Sequence, residues 1–255
     1  MQQTLPAFEY FLIAFRRTWR ATVLSSFLLP VLFLIAMGIT VGTYVDARSG
    51  SGLGYRYLDY IAPGVLASTA LQVAVGESTW PVYGHFTWTR IYHAMRASPL
   101  TTLDIMTGHL LYVVLRVVLA AAGFLLVMTA FGASKSWAAF AALPIAALIG
   151  LACAAPAFAY AATVSNDGLF AVLFRFAVVP MTLFAGVFFP IDSLPLLVRF
   201  LAYVSPLWHG VELTRSATLG VDTAWGAPVH LGVLLVWSAV GYLLAGRAFA
   251  KKLAD

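Results

Sequence analysis

The sequence contains little charge. Asp, Glu, Lys and Arg make up only 10% of its 255 residues, whereas 62% of the residues are hydrophobic. A soluble globular domain carries about 25% charged residues. The chain therefore has too few polar side chains to cover a surface in water, and its composition predicts an integral membrane protein.

Cysteine is nearly absent as well. Cys153 is the single cysteine, so an internal disulfide is excluded. It lies inside an apolar run, where we expect a small buried side chain rather than a reactive thiol. The formal net charge is +5, but no basic run is interleaved with stacking aromatic residues, so nucleic acid is not an expected partner.

Motifs for catalysis are missing. No Gly-x-x-x-x-Gly-Lys-Ser/Thr pattern occurs, so the chain has no P-loop for a nucleotide, and the similar stretch Gly132–Ser136 has the wrong spacing. The histidines do not pair with one another or with carboxylates at the spacing of metal ligands. They are His85, His93, His109, His209 and His230. We expect neither enzyme activity nor a bound cofactor or metal in this chain.

Long hydrophobic runs are what the sequence does contain. The first, Ala21–Val45, has no charge over 25 residues, whereas the apolar region of a secretory signal has about 7–15. Such runs can cross a bilayer whose hydrocarbon core is about 30 Å thick. We predict one all-α membrane domain, 1–255, with spans at 21–45, 60–84, 105–131, 138–164, 169–189 and 226–246.

The positions of Lys and Arg predict the orientation. Six spans place both termini, the segment 85–104 and the turn 165–168 on one side. That side carries Arg16, Arg17, Arg20, Arg90, Arg96, Arg247, Lys251 and Lys252, and the other carries Arg48, Arg56, Lys135, Arg199 and Arg215. Because basic residues concentrate in cytoplasmic segments beside span ends, we expect both termini in the cytoplasm.

An amphipathic helix is predicted before the first span, at residues 6–20. Its apolar stripe, at about 100° per residue, consists of Phe8, Phe11, Leu12, Phe15 and Trp19. Its polar side consists of Glu9, Arg16, Arg17 and Arg20. This pattern is typical of a helix in the membrane interface with arginines toward anionic headgroups. A simple cytoplasmic leader is the alternative.

Another short helix is predicted inside the polar segment 85–104. One side of it carries Trp88, Ile91, Tyr92 and Met95, and the other carries Arg90, His93, Ala94 and Ala97. The helix should end before Pro99 because a residue that precedes proline avoids the helical region. Thr101-x-x-Asp104 then has the pattern of a capping box. Docking into a partner's groove and resting on the membrane surface are both compatible with the spacing.

Three charged residues, Glu77, Arg116 and Arg175, fall inside predicted spans. Intramembrane charges are costly, so they are usually paired or functional. Glu77 and Arg175 each lie about seven residues, or about 10 Å, from the cytoplasmic end of their spans, and Arg116 lies nearer the middle. We expect Glu77 and Arg175 to form a packing ion pair, with contact to a substrate as the alternative.

The stretch Phe184–Arg215 is too polar to cross a bilayer and too apolar for a solvated loop. Prolines divide it, because proline removes a backbone donor and clashes with the preceding turn. These are Pro190, Pro195 and Pro206. The pieces Leu194–Tyr203 and Leu207–Ser216 are each predicted to form a short helix.

The predicted topology places this stretch outside the cytoplasm. We expect residues 190–216 to form a re-entrant cap over the outer mouth, a geometry allowed where protein or water satisfies the backbone. Asp192, Glu212 and Arg215 are expected at its wet edge. A surface lid that only shields the ends of the spans is the alternative.

With these features the sequence resembles the membrane subunit of type-2 ABC transporters, in particular the short bacterial exporters of the drug-resistance and nodulation lipo-oligosaccharide type. The resemblance covers nearly the whole chain. It includes the amphipathic N-terminal helix, RIYHAMRASPL at Arg90–Leu100, FAGVFFPIDSLP at Phe184–Pro195 and SPLWHGVELTR at Ser205–Arg215.

The resemblance implies a dimer with an identical or related permease, and two cytoplasmic ATPase subunits that bind ATP and Mg²⁺. It implies that 85–104 is a coupling loop and that 6–20 is a connecting helix packed beside it. ATPase closure would rock the spans between inward-open and outward-open states. The coupling residues would be Trp88, Arg90, His93, Arg96, Pro99 and Leu100.

We therefore expect an exporter permease in a bacterial inner membrane, in contact with lipid, that moves a hydrophobic or amphipathic compound outward. Sparse polar residues in the spans favour a drug-like or lipid-like substrate over a polysaccharide. An ion-coupled secondary transporter would need acidic relays in paired repeats, but Glu77 is the only acidic residue in a predicted span. A membrane enzyme acting on lipid precursors would need clustered carboxylates or histidines.

Overall fold

A computed structural model of the protein describes residues 3–49, 56–134 and 136–254. All regular structure in these ranges is helical, as the all-α prediction requires. Lys135, which the predicted orientation places on the non-cytoplasmic side, lies outside the described residues.

The helices follow one another with short connections. They are α1 Thr4–Phe33, α2 Gly42–Ser49, α3 Tyr57–Ser78, α4 Trp80–Thr87, α5 Ile91–Arg96, α6 Thr102–Ala130, α7 Ala142–Thr163, α8 Leu169–Leu173, α9 Val179–Phe184, α10 Leu196–Val204, α11 Pro206–Leu219 and α12 Ala227–Lys252. Leu34–Val41 and Phe174–Val178 are π-helical, and Trp137–Ala141 and Ile191–Ser193 are 3₁₀-helical.

Four helical stretches in the described ranges are long and apolar enough to cross a membrane. They are Tyr57–Thr87, Thr102–Ala130, Trp137–Thr163 and Ala227–Lys252. Two further apolar stretches, Val31–Ala47 and Leu169–Phe184, are shorter. Helix length and composition thus support four of the six predicted spans, and the predicted spans 21–45 and 169–189 overlap only in part with the two shorter stretches.

The N-terminal segment is not a separate helix, which corrects the prediction of a helix over 6–20. The backbone is helical without interruption from Thr4 to Ser49. An amphipathic pattern identifies which face of a helix is buried, but it does not place the end of the helix. Neither glycine nor proline occurs near Arg20, so no residue there favours a helix end.

The second long stretch is broken near Pro81. This proline has no N–H to donate to the carbonyl of Glu77, and α3 ends at Ser78 before α4 begins at Trp80. The buried hydroxyls of Ser78 and Thr79 donate to the carbonyls of Ala74 and Val75. The break therefore keeps its polar side chains satisfied inside the bundle.

The fifth predicted span ends earlier than residue 189 because of Gly186. This glycine has φ +74°, a conformation that residues with a Cβ rarely adopt. It turns the chain after α9 and brings Val187 against α3. A Cβ added at Gly64 of α3 would lie only 2.9 Å from Val187 Cα, so the turn and α3 are in close backbone contact.

Small residues allow the long helices to pack closely. α12 packs mainly on α7, α1 packs on α6, and α3 packs on α6, α7 and α11. Gly241 of α12 meets Pro156 of α7, and Gly108 of α6 meets Ala7 of α1. Because lipid tails are as apolar as leucine, such van der Waals contacts drive helix association in a membrane.

The bundle has two ends that carry the predicted sites. At the Tyr92 end, rings of Phe11, Tyr92, His109 and Phe249 pack together. At the Arg215 end, Tyr60 and Arg215 both donate hydrogen bonds to the carbonyl of Gly186. α3, α6, α7 and α12 run between these two ends.

Substitution of Gly241 by alanine should destabilise the bundle. An added Cβ would lie 2.5 Å from Pro156 Cδ and 2.7 Å from Pro156 N, so α12 would have to move away from α7. We expect a loss of about 1–3 kcal/mol in unfolding free energy, as for other overpacked interiors, measured by SDS or thermal unfolding in detergent.

Gly232→Ala, in the same helix, is the matched control. Gly232 has no neighbour within 4 Å of an added Cβ. Alanine also favours the helix over glycine by about 0.5–1 kcal/mol, so this variant should be at least as stable as the wild type. Equal stability of the two variants would contradict the close α7–α12 contact.

Candidate functional site

Four of the predicted coupling residues form an exposed ridge at the Tyr92 end of the bundle. They are Arg90, His93, Arg96 and Pro99. α5 begins only at Ile91, because Arg90 takes a left-handed conformation with φ +50°. Leu100, which follows Pro99, is half-buried. The Arg96 guanidinium donates to the carbonyl of Leu100 at 3.3 Å. Two arginines and a histidine are therefore available to a partner on one short segment.

Trp88 does not share a helix with Ile91, which corrects the predicted apolar stripe. Its ring lies on Gly84, where an added Cβ would be 2.8 Å from Trp88 Cε3, and it is 61% exposed. The left-handed residue at position 90 interrupts the helical repeat between Trp88 and Ile91. Trp88 thus belongs to the exposed surface next to the ridge.

The other face of α5 is anchored in the bundle through Tyr92. Tyr92 is fully buried, and its hydroxyl forms a hydrogen bond with Nδ1 of His109 on α6. Burial raises the pKa of the Tyr92 phenol well above its ordinary value, so the hydroxyl remains protonated. Sequence reasoning assigned Tyr92 to the apolar side of the helix but did not identify His109 as its partner, because the two are joined only in the tertiary structure.

The N-terminal part of α1 packs beside this site. Phe11 stacks on His109 with ring centroids 4.1 Å apart, and Phe15 meets Tyr112 edge-on. Phe8 is half-buried. Phe11 and Phe15 of the predicted apolar stripe therefore pack on α6, rather than lying in lipid as expected of an interfacial helix, whereas Trp19 of the same stripe is exposed. The predicted basic residues Arg16, Arg17 and Arg20 are exposed.

The predicted capping box at Thr101–Asp104 is confirmed. Asp104 N donates to Thr101 Oγ1 and Thr101 N donates to Asp104 Oδ2, both at 3.1 Å. The other carboxylate oxygen of Asp104 accepts from the hydroxyl of Thr4 at 2.9 Å. One carboxylate thus caps α6 and also holds the start of α1 against it.

Glu77 pairs with Arg116, which corrects the predicted pair of Glu77 with Arg175. The Arg116 Nη2–Glu77 Oε1 distance is 2.9 Å, with 13% and 24% of the two side chains exposed. Arg116 also donates to the hydroxyl of Tyr112 at 3.0 Å and lies over the ring of Phe15. Three helices, α1, α3 and α6, therefore meet at this ion pair.

Arg175 has no ion-pair partner among the residues that the structure describes. It is exposed and lies in the π-helical segment Phe174–Val178. Counting residues from a span end estimates depth, but the rotation and neighbours of each helix decide which side chains meet. α3 packs directly on α6, so the arginine that reaches Glu77 comes from α6.

The two short helices predicted at the Arg215 end are confirmed as α10 and α11. α10 is amphipathic, and most of its apolar residues are exposed. These are Leu196, Leu197, Phe200, Leu201 and Val204. Pro190 and Pro195 are exposed and precede helical turns, whereas Pro206 is buried at the first position of α11. The exposed face of α10 is suited to contact lipid or another subunit.

Arg215 is buried, which corrects its predicted place at a wet edge. It donates to Glu212 Oε1 at 3.1 Å and to the carbonyl of Gly186 at 2.8 Å. Its guanidinium carbon lies 4.0 Å from the ring centroid of Tyr60. Glu212 is half-buried, and only Asp192 of the three predicted edge residues is exposed. Arg215 thus links α3, α11 and the Gly186 turn.

Two histidines that are distant in sequence meet at this end. Nδ1 of His209 and Nδ1 of His230 are 2.9 Å apart, and Nε2 of His209 faces the carbonyl of Tyr203 at 2.9 Å. The sequence spacing of these residues carries no signal of the pairing. Within the described part of the chain, no group of three or more His, Cys, Asp or Glu residues could hold a metal ion.

The described part of the bundle contains cavities of different character. One of about 290 Å³ beside Arg215 is polar and is lined in part by Tyr60, Asp192, Trp208, Glu212 and Asp222. Two further cavities are apolar. One of about 240 Å³ is lined mainly by α3 and α7, and one of about 250 Å³ is lined mainly by α9 and α10. The two apolar cavities share Met181, Pro206 and Trp237.

Comparison with known proteins places the chain among transport proteins. A family model described as ABC-2 type transporter matches residues 3–219. Nodulation protein J of Rhizobium leguminosarum bv. viciae is 28% identical over 241 residues, which cover 94% of this chain and 91% of the relative. Nodulation protein J of Sinorhizobium fredii (strain NBRC 101917 / NGR234) is 26% identical over 241 residues, covering 94% and 90%.

A double-mutant cycle should detect the Glu77–Arg116 pair. Removal of one partner leaves a poorly solvated charge, so Glu77→Gln and Arg116→Gln should each destabilise the protein, and the second change should cost little after the first. We expect a coupling free energy between about 0.5 and 3 kcal/mol, measured by unfolding in detergent.

The cycle of Glu77→Gln with Arg175→Gln is the matched control. Arg175 is an exposed arginine within an apolar segment, and its effect should add to that of Glu77→Gln within about 0.5 kcal/mol. Additivity in the first cycle, or coupling in the second, would show that the ion pair is assigned to the wrong arginine.

Proposed function

The chain belongs to the ABC-2 type transporter family, and we propose that it is the membrane-spanning permease subunit of an ATP-driven exporter. The observation that carries the proposal is the exposed basic ridge on α5, whose opposite face is anchored in the bundle by Tyr92. The chain has no P-loop, so ATP and Mg²⁺ bind to a separate ATPase subunit.

The ridge docks on the ATPase. A short helix that presents Arg90, His93 and Arg96 suits a groove lined by acidic and apolar residues on a partner. Pro99 and Leu100 define the end of the segment, and exposed Trp88 adds an apolar contact beside it. When two ATPase subunits close on ATP, they push this segment and shift the bundle between two states.

The start of α1 acts as the connecting helix. It packs on α6 through Phe8, Phe11 and Phe15, and Thr4 is bonded to Asp104 at the start of α6. A push on α5 therefore also reaches α1. Exposed Arg16, Arg17 and Arg20 then lie where they meet lipid headgroups or the ATPase.

The proposed topology has six spans with both termini in the cytoplasm of a bacterial inner membrane. Leu169–Phe184 supports a fifth crossing, because Phe170 contacts Tyr83 near the Tyr92 end and Gly186 lies at the Arg215 end. α1 likewise extends from Phe11 at the Tyr92 end to Phe33. The ring of Phe33 contacts Phe188, which follows Gly186 at the Arg215 end. The Tyr92 end faces the cytoplasm, where the ATPase binds.

The substrate is a hydrophobic or amphipathic compound, drug-like or lipid-like, that leaves from the cytoplasm or inner leaflet. The apolar cavities around Met181 and Trp237 suit an apolar group. A second copy of the chain, or a related permease, completes the pathway. The exposed apolar face of α10 and the exposed Arg175 are surfaces for this second subunit or for lipid.

α10 and α11 form a cap at the outer mouth. The cap is held to α3 and to the Gly186 turn by Arg215 and Tyr60, and to α12 by the contact between His209 and His230. It opens when the bundle shifts to the outward state. Membership in the ABC-2 family favours this exporter over an ion-coupled transporter or a lipid-modifying enzyme.

Removal of the ridge charges should uncouple the ATPase. We expect that Arg90→Ala with Arg96→Ala leaves the protein in the membrane but lowers permease-stimulated ATP hydrolysis about tenfold or more, because two interface charges worth about 1 kcal/mol or more each are lost. The measurement is the ATPase rate of the co-purified complex in nanodiscs.

Arg247→Ala with Lys251→Ala is the matched control. Both residues are exposed on the last turns of α12, and their removal lowers the net charge by the same amount. This control should keep its ATPase stimulation. Unchanged stimulation in the ridge variant would refute docking at α5, and failure of the wild-type chain to co-purify with any P-loop ATPase would refute the proposed function.

A further inference from the structure

The coupling segment has one fully buried anchor. Of the residues in α5, Tyr92 has no exposed surface, whereas Ile91 and Met95 are half-buried and His93, Ala94 and Arg96 are exposed. A push on the exposed ridge can therefore reach the bundle only through the three side chains of α5 that are not exposed. Tyr92 is the most deeply buried of these three.

Aromatic rings from several helices surround Tyr92. Phe86 of α4 lies 4.6 Å from it and Phe249 of α12 lies 5.4 Å from it, measured between ring centroids. Phe249 in turn stacks on Phe158 of α7. This socket is close-packed and apolar, so the ring of Tyr92 cannot shift without moving rings that belong to α4, α7 and α12.

The hydrogen bond to His109 makes the contact specific. His109 is 1% exposed, and its ring is stacked on Phe11 of α1. If the bond broke without replacement, a hydroxyl and an imidazole nitrogen would be left unpaired in an apolar site, which is unfavourable for each buried group. The bond therefore holds α5 and α6 together as one unit.

We propose that Tyr92 and His109 are positioning residues that carry the movement of the coupling segment into α6, an inference that rests on the proposed function. Arg90, His93 and Arg96 receive the push from the ATPase, and the Tyr92–His109 bond transmits it. The role is separate from docking, because neither side chain is accessible to a partner.

The side chains that follow His109 on the same face of α6 end at the Glu77–Arg116 ion pair. Tyr112 follows His109 by three residues and Arg116 follows it by seven, so all three lie on the same face of the helix. Tyr112 accepts a hydrogen bond from Arg116, and Arg116 pairs with Glu77 of α3. A shift of α6 at His109 therefore reaches α3 through polar contacts that are satisfied inside the bundle.

A thiol-labelling experiment tests the transmission. In the complex with its ATPase in nanodiscs, Cys153→Ala removes the native thiol and Ala202→Cys places a new one on α10, where Ala202 is 2% exposed. The probe is a membrane-impermeant maleimide, and its labelling rate is compared without nucleotide and with ATP and vanadate. We expect ATP with vanadate to raise the labelling rate about fivefold or more in this background. A factor of about five is the lower end of the usual allosteric coupling between two sites.

Five variants are then compared in the same background. Tyr92→Phe keeps the ring but removes the hydroxyl, and His109→Leu removes the imidazole that is bonded to it. Both should retain bound ATPase and lose most of the nucleotide-dependent rise in labelling, and the double variant should behave like either single variant. His109→Asn, which restores a polar atom near the position of Nδ1, should recover part of the rise. Tyr44→Phe, at an exposed tyrosine, should respond like the background.

The outcomes separate this inference from the proposed function. A full nucleotide response in Tyr92→Phe would overturn the inference while the proposed function stands. Loss of ATPase binding in Tyr92→Phe and His109→Leu would also overturn it, because the residues would then support docking instead of transmission. A background complex that never binds an ATPase would refute the proposed function itself.

Discussion

The buried charged side chains of the apolar helices find their partners inside the bundle, because the hydrocarbon core of a membrane offers no water to satisfy them. Glu77 and Arg116 meet this requirement as an ion pair, and Tyr112 accepts a further hydrogen bond from the same arginine. At the Arg215 end, one guanidinium serves a carboxylate, a backbone carbonyl and a tyrosine ring. Each such cluster joins segments that are distant in sequence, so the clusters hold those segments against one another.

Close packing supplies the rest of the cohesion. The contacts between α7 and α12 and between α1 and α6 depend on glycines at which an added Cβ would come within 3 Å of the neighbouring helix. In lipid these contacts replace the hydrophobic effect as the force between helices. Close contacts of this kind resist deformation of the individual helices, which suits the proposed passage of a push from the Tyr92 end to the Arg215 end.

Local patterns predicted local structure well. The capping box at Thr101–Asp104, the two short helices after Pro195 and Ser205, and the general positions of four long apolar helices follow from residues close together in the chain. Helix ends were less predictable, because Arg20 carries no breaking signal and α1 continues through it. The exposed face of α5 was predicted except at Trp88, where the left-handed conformation of Arg90 interrupts the helical repeat.

Composition and hydrophobic runs were sufficient to predict an all-α membrane protein, and no P-loop pattern occurs in the sequence. The blocks Arg90–Leu100, Phe184–Pro195 and Ser205–Arg215 pointed to the ABC-2 family that the family match shows. The partners of buried polar groups were decided only by the tertiary structure. Glu77 meets Arg116 rather than Arg175, Tyr92 meets His109, and His209 meets His230. The physical reason is that hydropathy sets the length of a helix, whereas its rotation and its neighbours arise from packing among helices that are far apart in the chain.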